Sequence, residues 1–297
     1  MADAVGNKIA KDYHLDTPPV TAGFHVKGVG HSGWGMKNRL SKVFNPKSGN
    51  TVMLAFDHGY IMGATAGLER LDLVIDPLVP YVDALMGTRG ALRSCIDPAV
   101  DKAICLRATR DTTVLHDDLS AGNGFGIDIE DALRMNVSMM AIQCFVGSKA
   151  GEAQSFETLC RAADAGERYG VPVMAVTAVG KEMERTNKYF MLATRVLAEL
   201  GAHAIKTYYC EDFEKIVAAC PVPIVVAGGK KLPELDALEM AYRSMASGAR
   251  GMDMGRNIFQ SECPEAMCAA IGKVVHEGAT SKDAYEFFLD MKSDLAK

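Results

Sequence analysis

Eight short, continuous apolar runs recur along this chain, and they constrain its fold more than any other feature. They are TVMLAFD (51–57), VDALMG (82–87), AICLRA (103–108), SMMAIQCFVG (138–147), VPVMAVTAVG (171–180), AHAIKTYY (202–209), VPIVVAGG (222–229) and GMDMGRN (251–257). Runs of this length without polar alternation are the mark of strands buried on both faces. Helical spacing falls between them, as in Tyr189, Leu192, Val196 and Leu200, and again in Leu235, Leu238, Tyr242 and Met245 just after Pro233. Strand followed by helix, repeated, gives parallel strands joined by crossovers. Eight such units in a chain of 297 residues match an α/β fold of the (β/α)8 TIM-barrel type. A doubly wound open sheet is the alternative, because counting strands does not show closure. Residues 1–50 precede the first strand and read as an N-terminal extension, with a helix over WGMKNRLSKVF covering one end of a 51–297 catalytic barrel.

Charge narrows the partners. A formal net charge of −5 leaves no global basic surface for nucleic acid or an anionic membrane, so a small, locally steered ligand fits better. The first residues, MADAVGNKIAKDYHLDTPP, carry neither a basic flank nor an apolar core, and no run approaches a membrane span; the expectation is a cytoplasmic protein. The eight cysteines lack the C-x-x-C spacing of a zinc or redox site, so no metal is expected and reduced thiols are the plain reading. Cys144 and Cys210, each near a strand end, are the candidates for a reactive thiol.

GVGHSG, from Gly28 to Gly33, matches a dinucleotide fingerprint in form, with Asp57 as a ribose carboxylate. That fingerprint works physically only between a buried strand and a helix N-terminus. The preceding TAGFHVK makes a poor strand, so a glycine turn is the expectation and a nicotinamide-dependent oxidoreductase the alternative.

In a barrel, chemistry collects where the strands end. The first run closes with Asp57 and His58, the second with Arg89, the third with Arg107, and the sixth with Lys206, Tyr208 and Tyr209. The seventh and eighth end in Gly228, Gly229 and Lys230, and in Gly255 and Arg256. Glycines that expose backbone N–H groups beside a lysine and an arginine suit a phosphate. Arg89, Arg107 and Tyr208 are further substrate-binding candidates, with loop bracing the alternative for the two arginines.

A lysine inside a buried strand needs a reason. Burial disfavours an ammonium ion, and a neutral amine is a nucleophile that condenses with a ketone to an electron-withdrawing iminium. Lys206 is thus the candidate nucleophile and Asp57 the candidate proton-transfer carboxylate, against the alternative of a salt-bridged structural lysine. A non-catalytic sugar-phosphate sensor would keep the phosphate loops without that chemistry.

LAFDHG, IKTYY, AGGKKL and DMGRNIFQ together resemble the archaeal-type class I aldolases, a Schiff-base (β/α)8 family. WGMKNRLSKVFNPKSGNTVMLAFDHGY and CPVPIVVAGGKKLPE carry a closer likeness, over 34–297, to a thiolase branch of that family that ends breakdown of the autoinducer-two signal. The resemblance implies that Lys206 forms the Schiff base, that Asp57 is an active-site carboxylate, and that Gly228, Gly229, Gly255 and Arg256 hold phosphate. It implies a phosphorylated dione as substrate, coenzyme A as co-substrate with no permanently bound cofactor, dihydroxyacetone phosphate as product, and a homo-oligomer. One departure stands out: the family's aldolases carry an acid/base tyrosine at strand five, and VPVMAVTAVG has none. A sugar-phosphate aldolase working without coenzyme A is the alternative activity.

Overall fold

The computed structural model describes residues 23–178 and 184–297. Among them, eight parallel strands close into a barrel: β1 (Thr51–Ala55), β2 (Ala84–Thr88), β3 (Ala103–Arg107), β4 (Met139–Cys144), β5 (Val173–Thr177), β6 (Ala204–Tyr208), β7 (Ile224–Ala227) and β8 (Gly251–Met254). Each strand pairs with its neighbours in sequence, and β1 meets β8 with Thr51 opposite Gly251 and Leu54 opposite Met254. That last pairing excludes the open, doubly wound sheet. The end of the fifth apolar run, residues 179–180, lies outside the described residues.

The longer helices are α1 (Trp34–Val43), α2 (Arg89–Cys95), α3 (Ile129–Arg134), α4 (Glu152–Tyr169), α5 (Asn187–Glu199), α6 (Phe213–Ala219), α7 (Glu234–Ala246), α8 (Pro264–Gly272) and α9 (Ser281–Leu295). No helix of the described residues is long and apolar enough to cross a membrane. Helices form where expected, but two faces differ from expectation. On α5 the buried side chains are Phe190, Ala193, Thr194 and Leu197, while Leu192 is exposed. On α7 they are Ala237, Leu238, Ala241 and Ser244, while Leu235 and Tyr242 are exposed. Small side chains let a helix approach the sheet closely, so alanine, serine and threonine take the inner face and bulkier groups move outward.

Strand periodicity divides the core in two. Val52, Leu54, Leu85, Leu106, Ile142 and Ile205 point outward to the helices. The opposite parity, Met53, Ala55, Met86, Cys105, Ala141 and Ala204 among others, fills the barrel interior. Methionines beside alanines pair long, adaptable side chains with short ones, which fills a tapering space without voids.

The interior is closed at its lower end by α1. Met36, Leu40, Val43 and Phe44 are buried and belong to the same apolar cluster as the barrel interior. Around them, Arg39 donates to the carbonyls of Gly170 (2.9 Å) and Val137 (3.3 Å), and Lys27 donates to those of Cys220 (2.8 Å) and Val217 (3.1 Å) at the end of α6. Gly28 sits in this lower face with φ +77°, and a Cβ there would lie 2.2 Å from the Pro221 carbonyl oxygen. GVGHSG is therefore a packed turn with no strand before it among the described residues, at the end of the barrel away from Asp57. The dinucleotide reading fails on that geometry.

Leu40→Ala removes a fully buried side chain from this plug and is expected to lower unfolding stability by ~2–5 kcal/mol. Denaturant melts of the variant check this, with the Michaelis constant staying near the parent value because the substitution lies below the site.

Candidate active site

The inward-facing positions change character toward the upper end of the barrel. Below, they are methionine and alanine; above, the same faces carry Asp57, Arg107, Gln143, Lys206 and Tyr208. These join Asp253, His58, Tyr60, Gly228, Gly229, Gly255 and Arg256 around a cavity of about 280 Å³.

Lys206 projects from β6 with 8% exposure. Its Nζ lies 2.7 Å from Asp253 Oδ2 and 3.5 Å from Met86 Sδ. Behind it, Thr177 at the end of β5 donates to the Lys206 carbonyl (3.1 Å) and to Thr207 Oγ1 (2.9 Å). The Thr177 hydroxyl is thus spent on holding two strands in register, and the strand-five side chain that faces the cavity is Val176.

Asp57 accepts a hydrogen bond from Arg107 Nε at 2.7 Å, both side chains being almost wholly buried. Burial alone would push the Asp57 carboxyl up, but Arg107, Lys206 and His58 outweigh it and hold the group down at about 2. For Arg107, burial works against the charge, and its neighbours Tyr60 and Asp57 more than restore it. Arg107, expected as a substrate-binding residue, lines the cavity; its Nε is committed to Asp57, leaving Nη1 buried without a protein partner.

His58 is pushed below its ordinary range, chiefly by burial and then by Lys206 and Arg256 against the opposing pull of Asp57. It is therefore neutral at neutral pH, with Nδ1 buried and unpartnered.

The loops after β7 and β8 lie side by side on the rim of the cavity. Gly229 has φ +70°, a conformation that L side chains rarely adopt. A Cβ on Gly255 would fall 2.4 Å from the Ala55 carbonyl oxygen and 2.5 Å from His58 Cε1. Asn257 ties the loops together, donating to the Gly228 carbonyl and accepting from Leu232 N, each at 2.7 Å. Arg256 Nε is buried and unpartnered beside them. Exposed backbone, a guanidinium and a rigid frame together suit an oxyanion such as phosphate.

Other expected residues lie elsewhere. Arg89 does not line the cavity; at the start of α2 it turns outward to Asp131 Oδ2 (2.7 Å), which Arg93 also holds. The physical reason is that Asp131, on α3, offers a carboxylate within reach on the outer side. Lys230 is exposed beyond the cavity rim, because Gly229 turns the chain away. Of the two tyrosines, Tyr208 lines the cavity with the Arg185 guanidinium 4.1 Å from its ring, and Tyr209 packs on Phe213. The eighth apolar run ends sooner than expected, since Arg256–Phe259 is a helical turn. Neither candidate thiol is activated: burial pushes both Cys144 and Cys210 up, and carboxylates beside Cys210 add to it.

Two groups were missed. Asp253 is a carboxylate at the centre of a buried strand, and that incongruity in GMDMGRN was the available signal. Tyr60 enters from the β1 loop, donating to Asp111 Oδ2 at 2.5 Å, with Asn123 donating to the other Asp111 oxygen. No local pattern marks that contact.

Arg107→Met would strand the buried Asp57 charge, so unfolding stability is expected to fall by ~3–5 kcal/mol. The companion Asp57→Asn, Arg107→Met pair should recover a measurable part of that loss in denaturant melts, as expected when the uncompensated charge is the cause.

A closed (β/α)8 barrel with a buried lysine and a glycine-rich pair of loops beside Arg256 at the strand ends defines an enzyme of the class I aldolase type. The chain belongs to the DeoC/LacD family of aldolases, whose family model matches residues 51–261. It is 52% identical to a 3-hydroxy-5-phosphonooxypentane-2,4-dione thiolase of Photorhabdus laumondii, over 98% of this chain and all of the relative. It is 51% identical to the thiolase of the same name from Salmonella typhimurium, over 99% of this chain and all of that one. An archaeal fructose 1,6-bisphosphate aldolase has a similar fold, with a TM-score of 0.72 at 24% identity, covering 82% of this chain and all of that structure.

Proposed function

We propose that this protein is a Schiff-base thiolase, which cleaves a phosphorylated dione with coenzyme A to acetyl-CoA and dihydroxyacetone phosphate. One observation carries the reading: a buried lysine and a pair of glycine-rich loops suited to an oxyanion share one cavity, to which strand five presents Val176 and no tyrosine. Full-length relatives at about half identity bear that thiolase name.

In this reading, Arg256, the Gly228–Gly229 turn and Gly255 hold the phosphate and so set the adjacent ketone over Lys206. The amine adds to that carbonyl carbon and water leaves, giving an iminium. Coenzyme A sulfur adds to the acetyl carbonyl, and the carbon–carbon bond breaks. Its electron pair flows into the iminium to form an enamine, acetyl-CoA departs, and protonation and hydrolysis release dihydroxyacetone phosphate. No enzyme thiol carries the acetyl group, in keeping with cysteines held as thiols. Neutral His58 and the free Nη1 of Arg107 are hydrogen-bond donors available to oxygens of the bound dione. A second cleft of about 560 Å³ opens beside the β1 and β2 ends and shares Asp57 and Tyr60 with the reaction cavity, offering coenzyme A a lateral approach. We place the enzyme in the cytoplasm, and as a homo-oligomer, the latter in keeping with the exposed Leu192, Leu235 and Tyr242 on its outer helices.

The test is product analysis by mass spectrometry with and without coenzyme A. Acetyl-CoA formed only when coenzyme A is present supports the thiolase; phosphorylated cleavage products at equal rates without it would turn the reading to a sugar-phosphate aldolase. Lys206→Arg keeps the charge but cannot form an imine, so turnover should fall by more than about a thousandfold in a folded protein. Arg256→Ala should raise the Michaelis constant about ten- to a hundredfold, the loss expected for one charge-assisted hydrogen bond.

A further inference from the structure

We propose that Asp253 is the catalytic acid/base of imine chemistry at Lys206, accepting the proton of its Nζ and returning it to the oxygen that leaves the substrate carbonyl. The inference rests on the Schiff-base reading above and adds a residue that the sequence did not point to.

Three observations carry it. Asp253 Oδ2 lies 2.7 Å from Lys206 Nζ, so the carboxylate touches the reacting atom itself. The side chain is fully buried, and apart from the 2.7 Å contact with Lys206 its oxygens have no protein partner. A buried carboxylate with unused lone pairs carries a desolvation cost that a purely structural role does not require. Finally, β8 turns this side chain into the reaction cavity, at the level of Met53 on β1 and Ala227 on β7.

Asp57 is less suited to the task. Its neighbours hold it down at about 2, so at neutral pH it is an ion and a very weak base. Asp253 is pushed up, foremost by burial and further by Asp57, against the pull of Lys206 and Arg107. Lys206 on β6, Arg107 and Cys105 on β3 and Asp57 beyond β1 are the charged or titratable groups that face it. Proton transfer within the pair turns ammonium and carboxylate into amine and carboxylic acid. The amine adds to the ketone, the nitrogen loses a proton and the oxygen gains one, giving the carbinolamine. The Asp253 proton then goes to the hydroxyl, the carbon–oxygen bond breaks and water leaves. The product is an iminium beside a restored carboxylate, with the proton count unchanged.

The experiment follows borohydride-trapped adduct formation with dihydroxyacetone phosphate by intact mass, without coenzyme A, across about pH 6 to 8. In the parent protein the proton stays within the pair, so the rate should be nearly flat with pH. Asp253→Asn should form the adduct about 10²–10⁴-fold more slowly, with the rate climbing toward tenfold per pH unit as solvent takes over the proton. Asp253→Glu should restore part of the rate, and inhibition by inorganic phosphate should stay within threefold of the parent in both variants. An Asp253→Asn rate within threefold of the parent overturns the proposal. So does a parent rate that itself climbs tenfold per pH unit, which decides the matter even if the variants do not fold. Failure of the parent to form any adduct at Lys206 instead overturns the Schiff-base reading.

Discussion

Four charges shut away from water at the centre of the barrel set the terms for everything around them. Asp57 with Arg107, and Lys206 with Asp253, form two ion pairs at 2.7 Å among almost fully buried side chains. Each ion loses several kcal/mol of hydration on burial, and only a partner of opposite sign in close contact offsets it. The balance also bears on the proposed phosphate site. With both carboxylates engaged, Arg256 is left with no carboxylate partner among the described residues, beside backbone turns that favour an anion. An acidic protein thereby holds one focused positive site.

The barrel keeps this polar centre rigid by dividing its length. Its lower half is an apolar plug of methionine and alanine sealed by α1, where Leu40, Val43 and Phe44 pack into the interior. Its upper half uses the same inward-facing positions for chemistry. Because the strands are fixed by ladder hydrogen bonds on both sides, a side chain on β6 and one on β8 keep their separation without help from mobile loops.

Two carboxylates in one cavity come to differ through their surroundings alone. Asp57 sits against a guanidinium and stays ionised at neutral pH. Asp253 is pushed up by burial and by the neighbouring Asp57 against the pull of Lys206 and Arg107, so its two protonation states lie closer in energy. Separation of this kind lets one group serve as a fixed charge and the other as a proton carrier.

The sequence by itself determined the barrel and the chemistry's main actor: eight apolar runs with helices between, a lysine inside one of them, and glycines beside Arg256. Those features are local, set by periodicity and by residue type at a strand end. It did not determine partners. Arg107 and Arg89 look alike in sequence, yet one turns inward to Asp57 and the other outward to Asp131. The outward faces of α5 and α7 were misread for a related reason, since how closely a helix lies on the sheet decides which side chains fit beneath it. Asp253 and Tyr60 were overlooked because β8 comes beside β6 across β7, and the β1 loop beside Asp111 after β3, only once the strands are paired. Closure brings together residues far apart in the chain, and strand register then decides which of two opposite directions each side chain takes. Only the tertiary structure could decide that, because both depend on hydrogen bonds between strands that no single segment contains.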